Sequence, residues 1–219
     1  MRASRLQVTG AWVTKWVTSW VGENRGFTNC RTLSLCVTLR SMADAHADII
    51  EASRFVYQRT RDRLTGLTDD EYFWEPVPGC WTIRRTDSGS YLADYEPQLD
   101  IPAFTTIAWR LWHLIENYGG NRNPEWLGVG AAPGVFDRED PAPATAAEAI
   151  ATLERAYAFW QNMLQALPVA SWWEQLGSVA GPYSEADKAS LVLHQLDEQI
   201  HHGAELGVLR DLYRHRWSS

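Results

Sequence analysis

"HQLDEQIHHGAELGVLRDLY", residues 194–213, decides how the chain is read. Leucines recur in it at helical spacing, yet it holds three of the six histidines together with Glu198 and Glu205. At about 100° per residue, His194, Glu198, His201 and Glu205 fall within roughly 60° of one another, and Leu191, Val208, Leu209 and Leu212 border or share that arc. Gln195, Gln199 and Arg210 point the other way, which predicts a solvated side there. Imidazoles and carboxylates on an apolar face need partners, because burying them unpaired is costly. They can satisfy one another, bind ordered water, or hold a metal ion.

Metal-ligand spacing is present. Glu198 and His202 stand four residues apart, one turn, the geometry by which paired helical ligands grip zinc. His194 and Glu198 repeat it a turn earlier. His194 and His202 are about 12 Å apart along the axis, too far to share one ion, so His194 is a reserve ligand only. A third ligand must come from another segment. Of His46, His113 and His215, the credible donor is His113 in "TTIAWRLWHLIENY" (105–118). It lies opposite the Phe104/Leu111/Ile115 stripe but close to Trp109, so this helix is expected to be buried on two sides.

The rest of residues 42–219 reads as a helical bundle. Helices are expected over 44–65, with Ile49, Ile50, Ser53, Val56, Tyr57 and Leu64 inward, then over about 102–118. A third runs from a Thr145/Glu148 capping box to about Leu167, and a fourth over about 185–213, capped by Ser184. "TDDE" (68–71) opens a short helix, residues 80–101 lack a sustained period, and 124–143 form a Gly/Pro/Ala-rich loop. Four long helices without a convincing strand run predict an all-α fold, a four-helix bundle with long inter-helix loops.

Composition narrows the function. Over 219 residues the net charge is −7, which argues against nucleic-acid or anionic-membrane partners. Of 20 basic and 27 acidic side chains, six basic ones and only Glu23 lie in residues 1–41, leaving a net −12 for the remainder. With the "WVT" repeats at 12–14 and 16–18, this predicts that 1–41 is a non-native or disordered extension and that 42–219 is the domain. No stretch reaches the roughly 20 apolar residues of a membrane span. Cys80 is the single cysteine after Met42, so no disulfide framework exists there and a cytoplasmic location is expected. Beside Trp81 it reads as a small packed residue.

Together "TTIAWRLWHLIENY", the preceding "PGCWTIR" (78–84) and the 194–213 stretch resemble the DinB/YfiT-like superfamily over about residues 44–213. The resemblance implies a four-helix bundle that binds a divalent metal through a histidine late in the second helix and an H-x-x-x-H pair on the last. Those ligands fall on His113 and His202, with Glu198 in place of the first histidine of the pair. A His₂Glu set suits zinc or nickel, and also iron or manganese. The superfamily includes enzymes that use low-molecular-weight thiols, which implies a thiol-S-transferase or a water-activating enzyme acting on a small molecule. Glu205 and His201 are then the candidates for orienting a ligand or accepting a proton, with an Arg or N–H partner the ordinary reading for Glu205. Trp109 and Trp112 are the candidates for lining a ligand pocket. Arg210, Asp197 and Asp211 read as surface pairs. A homodimer is compatible with all of this. The rival is a non-catalytic bundle binding a ligand or partner, its stripe a hydrogen-bond network.

Overall fold

The computed structural model describes residues 32–95, 103–130 and 134–216, with side chains from Ala45 onward. The chain divides between Ser41 and Met42, and the second unit, Met42–Ser219, is described here. The element order is α1 (Thr32–Arg63), α2 (Asp69–Tyr72), β1 (Ile83–Arg85), β2 (Tyr91–Ala93), α3 (Ile107–Gly119), α4 (Arg122–Leu127), α5 (Ala146–Ala166) and α6 (Lys188–His215). Two 3₁₀ helices, Val169–Trp173 and Ser178–Tyr183, fill the connection before α6. The fold is all-α apart from the small antiparallel pair β1–β2, which pairs Ile83 with Ala93 and Arg85 with Tyr91. Among the described residues, no helix is long and apolar enough to cross a membrane.

Local chemistry sets the helix starts. Thr68, Thr106 and Thr145 each accept a hydrogen bond from the backbone N–H three residues on, satisfying a donor the helix leaves free. Glu148 Oε2 accepts from Ala144 N at 2.9 Å, the reciprocal half of the capping box displaced by one residue. Three boundaries differ from the sequence expectation. The first helix begins at Thr32 rather than 44, since nothing in "TLSLCVTLRS" breaks a helix. The second begins at Ile107, leaving Phe104 outside it and 46% exposed. The last is capped by Asp187, whose Oδ1 accepts from Ser190 N at 2.7 Å, while Ser184 closes the preceding 3₁₀ helix. Part of the 124–143 loop is helical, because α4 runs to Leu127.

The core joins α3, α5 and the inner side of α1 and α6. Ile107, Leu111, Leu114 and Ile115 pack with Leu153, Trp160 and Leu164, and Trp172 closes one end. On α1, Ile50, Ser53, Val56 and Thr60 are buried, as is Leu64 just past its end, with Tyr57 stacked on Tyr157 at a centroid separation of 3.6 Å. The α1–α6 approach depends on Gly203: a Cβ there would stand 2.5 Å from Thr60 Oγ1. Most tryptophans pack: Trp112, Trp160 and Trp172 are buried, whereas Trp173 is 48% exposed and Trp217 lies outside the described residues.

The buried side of α6 is rotated about 100° from the expected arc, one residue's turn. Gln195, Gln199 and Arg210 are buried at 1%, 1% and 2% exposure, not solvated. His194 and His201 are exposed, while Glu198 and Glu205 lie half-buried at the edge of the core face. Arg210 is drawn inside by a complete set of acceptors. Its Nε and Nη2 donate to Glu71 at 2.8 and 3.0 Å, and its Nη1 donates to the carbonyls of Arg63 and Thr65 that α1 leaves open at its end. Asp211 does form a surface pair, with Arg63 at 3.5 Å.

Candidate metal centre

Helix α3 is buried on almost all sides, and only Trp109 and His113, one turn apart, reach partial exposure. That narrow strip faces Glu198 and His202 on α6. His113 Nε2 lies 3.0 Å from Glu198 Oε2, and His202 Nε2 lies 3.1 Å from the same oxygen. One donor atom from each of the three residues falls within 4.8 Å of the others. The expected third partner for the Glu198/His202 pair is therefore brought to it. His194 is not: it is exposed one turn before Glu198 and does not join the group.

Each donor is held from behind. The ring of Trp109 stacks on His113 at 5.2 Å and 18°, and its own Nε1 donates to Asp94 O at 2.8 Å. Trp112 is buried, its centroid 6.5 Å from that of His113, so it packs behind the centre rather than lining it. His202 Nδ1 lies 2.7 Å from Glu205 Oε2. Arg110, its guanidinium side chain 11% exposed, pairs with that same Glu205 oxygen and lies 3.2 Å from His202 Nδ1. The arginine partner for Glu205 is thus present. His201 Nε2 meets the other Glu205 oxygen at 3.0 Å, from a side chain 58% exposed.

Asn117 reaches the centre from one side. Asn117 Oδ1 accepts from Arg122 Nη2 at 2.9 Å, which orients the amide and aims its Nδ2 at the three donors. That Nδ2 lies 3.1 Å from His113 Nε2 and 3.4 Å from Glu198 Oε2. His113 Nε2 cannot accept from Asn117 and also donate to Glu198. If it donates, Asn117 is left to Glu198 Oε2 at 3.4 Å; if it accepts, a lone pair faces a carboxylate oxygen at 3.0 Å, an arrangement that calls for a cation. Hydrogen bonding to His113, then to His202, holds the Glu198 carboxyl far below the usual carboxylate range despite the opposing effect of burial. The donor set, two imidazole nitrogens and one carboxylate, is of a kind that holds a divalent cation. A second grouping, His201, His202 and Glu205, also meets the distance criterion. There the Arg110 guanidinium already supplies the positive charge, so it braces the first group.

Sequence reasoning passed over Arg110 and Asn117. Both lie on the His113 side of the helix, three residues before and four after it, so their i, i+3 and i, i+4 spacing was the available signal.

The family model of the DinB superfamily matches residues 52–206. The chain belongs to the DinB superfamily. Comparison with curated proteins and with solved structures returns no match.

Proposed function

We propose that His113, Glu198 and His202 hold one divalent cation, zinc or nickel before iron or manganese, and that the protein is a metal-dependent enzyme acting on a small molecule. The observation that carries this is the convergence of two imidazole Nε2 atoms on one Glu198 oxygen, at 3.0 and 3.1 Å, with one donor atom of each residue within 4.8 Å of the others. When bound, such an ion supplies Lewis acidity that lowers the pKa of a small thiol or of water. The chain's own residues then have separable tasks. Glu198 stays ionised. Glu205 accepts the Nδ1 proton of His202, leaving Nε2 as the ligand atom, the carboxylate–histidine arrangement that orients metal ligands. Arg110 neutralises Glu205, so that Glu205 orients His202 rather than serving as a free base. His201, open to solvent on the far side of Glu205, is the remaining candidate for proton exchange. Trp109 forms an apolar wall beside His113.

A small cellular thiol is the favoured reagent, and the cytoplasm, where thiols stay reduced, is the fitting location. The rival, a non-catalytic bundle with a hydrogen-bonded stripe, needs His113, Asn117 and His202 all to donate to Glu198 and no cation to enter. Elemental analysis of protein purified without chelator should give close to one divalent metal per chain. Cobalt-loaded protein should change its visible spectrum on adding mycothiol, bacillithiol, glutathione or coenzyme A, and consume that thiol with a generic electrophile. Protein that refuses metal after loading sinks the metal reading. Metal without thiol perturbation leaves water activation.

A further inference from the structure

Beside this centre lies an open cavity of about 350 Å³, walled by Arg122, Trp126, Leu176, Tyr183, Leu191 and His194. The volume is at the small end of the roughly 300–1,000 Å³ found for small-molecule sites. Most of its wall is apolar, with one cation. Trp126 and Tyr183 stand 6.1 Å apart at 47°, a tilted aromatic surface, and the Arg122 guanidinium sits over Trp126 at 5.7 Å. Tyr183 is delivered there by Gly181, whose φ of +56° interrupts the 3₁₀ helix in a conformation side-chain-bearing residues rarely adopt.

The electrostatics favour an anion. Among the ion pairs of the described residues, Arg122 and Arg138 share a single carboxylate, buried Glu116, at 3.7 and 3.8 Å. Two positive charges against one leave a surplus. Arg122 also retains a buried Nε with no hydrogen-bond partner, while its Nη2 is held by Asn117 at 2.9 Å. The Asn117 bond and the Glu116 pair hold the guanidinium at the cavity wall, and a planar carboxylate is a group that an arginine matches.

We propose that this cavity binds a small planar carboxylate, its acid group on Arg122 and its flat apolar body against Trp126 and Tyr183. The site stands apart from the proposed metal, because none of its walls is one of the three donors. Asn117 is the single side chain shared by the two, through opposite ends of its amide.

Calorimetric titration of the full chain with benzoate, trans-cinnamate and 2-naphthoate tests it, with cinnamide as the neutral isostere. The expected result is saturable one-to-one binding of at least one acid, cinnamide at least tenfold weaker, and affinity within about twofold after chelator treatment. Arg122→Gln should weaken binding at least tenfold. Because that variant also disturbs Asn117, Ala186→Trp, which fills the cavity from the loop before α6, serves as the second probe and should abolish binding at an unchanged melting temperature. Binding of none of the acids, equal affinity for cinnamide, or full affinity in Ala186→Trp overturns the proposal. Affinity that vanishes with chelator also overturns it, since the ligand would then belong to the metal. Protein that takes up no metal even after loading, yet still binds the acid, refutes the metal reading alone.

Discussion

Two buried polar groups lie on the same helix and obey opposite rules. Near the end of α6, Arg210 and Glu71 are 2% and 5% exposed in their side chains, and the guanidinium is matched by a carboxylate and two carbonyls. Two to three turns earlier, Glu198 and His202 converge with His113 of α3 on one carboxylate oxygen, and the protons among them and Asn117 can be placed in more than one way. A buried cluster with every donor and acceptor matched is structural. One whose protons have no single placement has room for something not made of protein. Burial alone does not separate the two; completeness of partners does.

The largest expected effect belongs to the complete group. Arg210→Ala leaves Glu71 charged, buried and alone and frees two carbonyls of the α1 end, which costs about 3–5 kcal/mol. For a domain of this size that lowers the melting temperature by on the order of 10 °C. Arg210→Met combined with Glu71→Leu should recover much of the loss, because removing both charges removes the unpaired one. Calorimetric melting of the three proteins decides it. A single variant as stable as the parent would mean that the pair is not closed in solution.

The incomplete group should behave in reverse: little loss without metal, large loss of the metal increment. Binding to the native state alone adds about 4 kcal/mol at a thousandfold excess over Kd. His113→Ala and His202→Ala should each lose stoichiometric metal and that increment, and melt like metal-free parent within a few degrees. Glu198→His should keep the metal, since an imidazole on the same turn replaces the carboxylate. Elemental analysis beside melting curves checks each. Retention of metal by His202→Ala would break the assignment of the centre.

What could be read from the chain follows the same division. The helices, the Thr68 and Thr145 starts and the one-turn spacing of Glu198 and His202 were legible, because caps and helical spacing are local, whereas the Thr106 start was not, the helix having been expected from about 102. The rotation of α6 was not. A helix whose core face carries Gln195, Gln199 and Arg210 has its polar and apolar residues mixed, so the stripe of leucines and histidines misplaces the inside by one residue. Arg210 could be recognised as buried only with Glu71 in view, 139 positions away. Long-range pairing of this kind leaves no periodic trace. The half-buried positions of Glu198 and Glu205 have the same origin: they edge the core from a face the pattern took to be its centre.

Smaller effects sharpen the boundary between the groups. Glu205→Gln keeps the shape but weakens the acceptor for His202 Nδ1 and strands Arg110, so metal affinity should fall about 10- to 100-fold without loss of the fold. Competition with a chromophoric chelator measures it; unchanged affinity would remove Glu205 from the centre. His194→Ala should leave metal content unaltered and shift stability by no more than about 0.5 kcal/mol, as expected at an exposed position. If His194→Ala strips the metal while His202→Ala does not, the donors sit two turns earlier than assigned.

The smallest effect expected is that of removing residues 1–41. Every partner named in either buried group, from Arg63 and Glu71 to Arg110, Asn117 and Arg122, follows Met42. Among the residues whose side chains are described, the buried ones of α1 are Ile50, Ser53, Val56 and Thr60, and Met42–Arg63 retains the helical turns that meet α5 and α6. The charge reversal points the same way, since the basic residues upstream are not needed to neutralise either group. We propose that 1–41 is no part of the domain, and that protein beginning at Met42 matches the full chain in melting temperature and in metal per chain. Parallel calorimetry and elemental analysis test both at once. A drop of several degrees would mean that the upstream residues cover part of the bundle. Lost metal at unchanged melting temperature would mean instead that they complete the centre, and the contrast between a closed group and an open one would need a fourth partner.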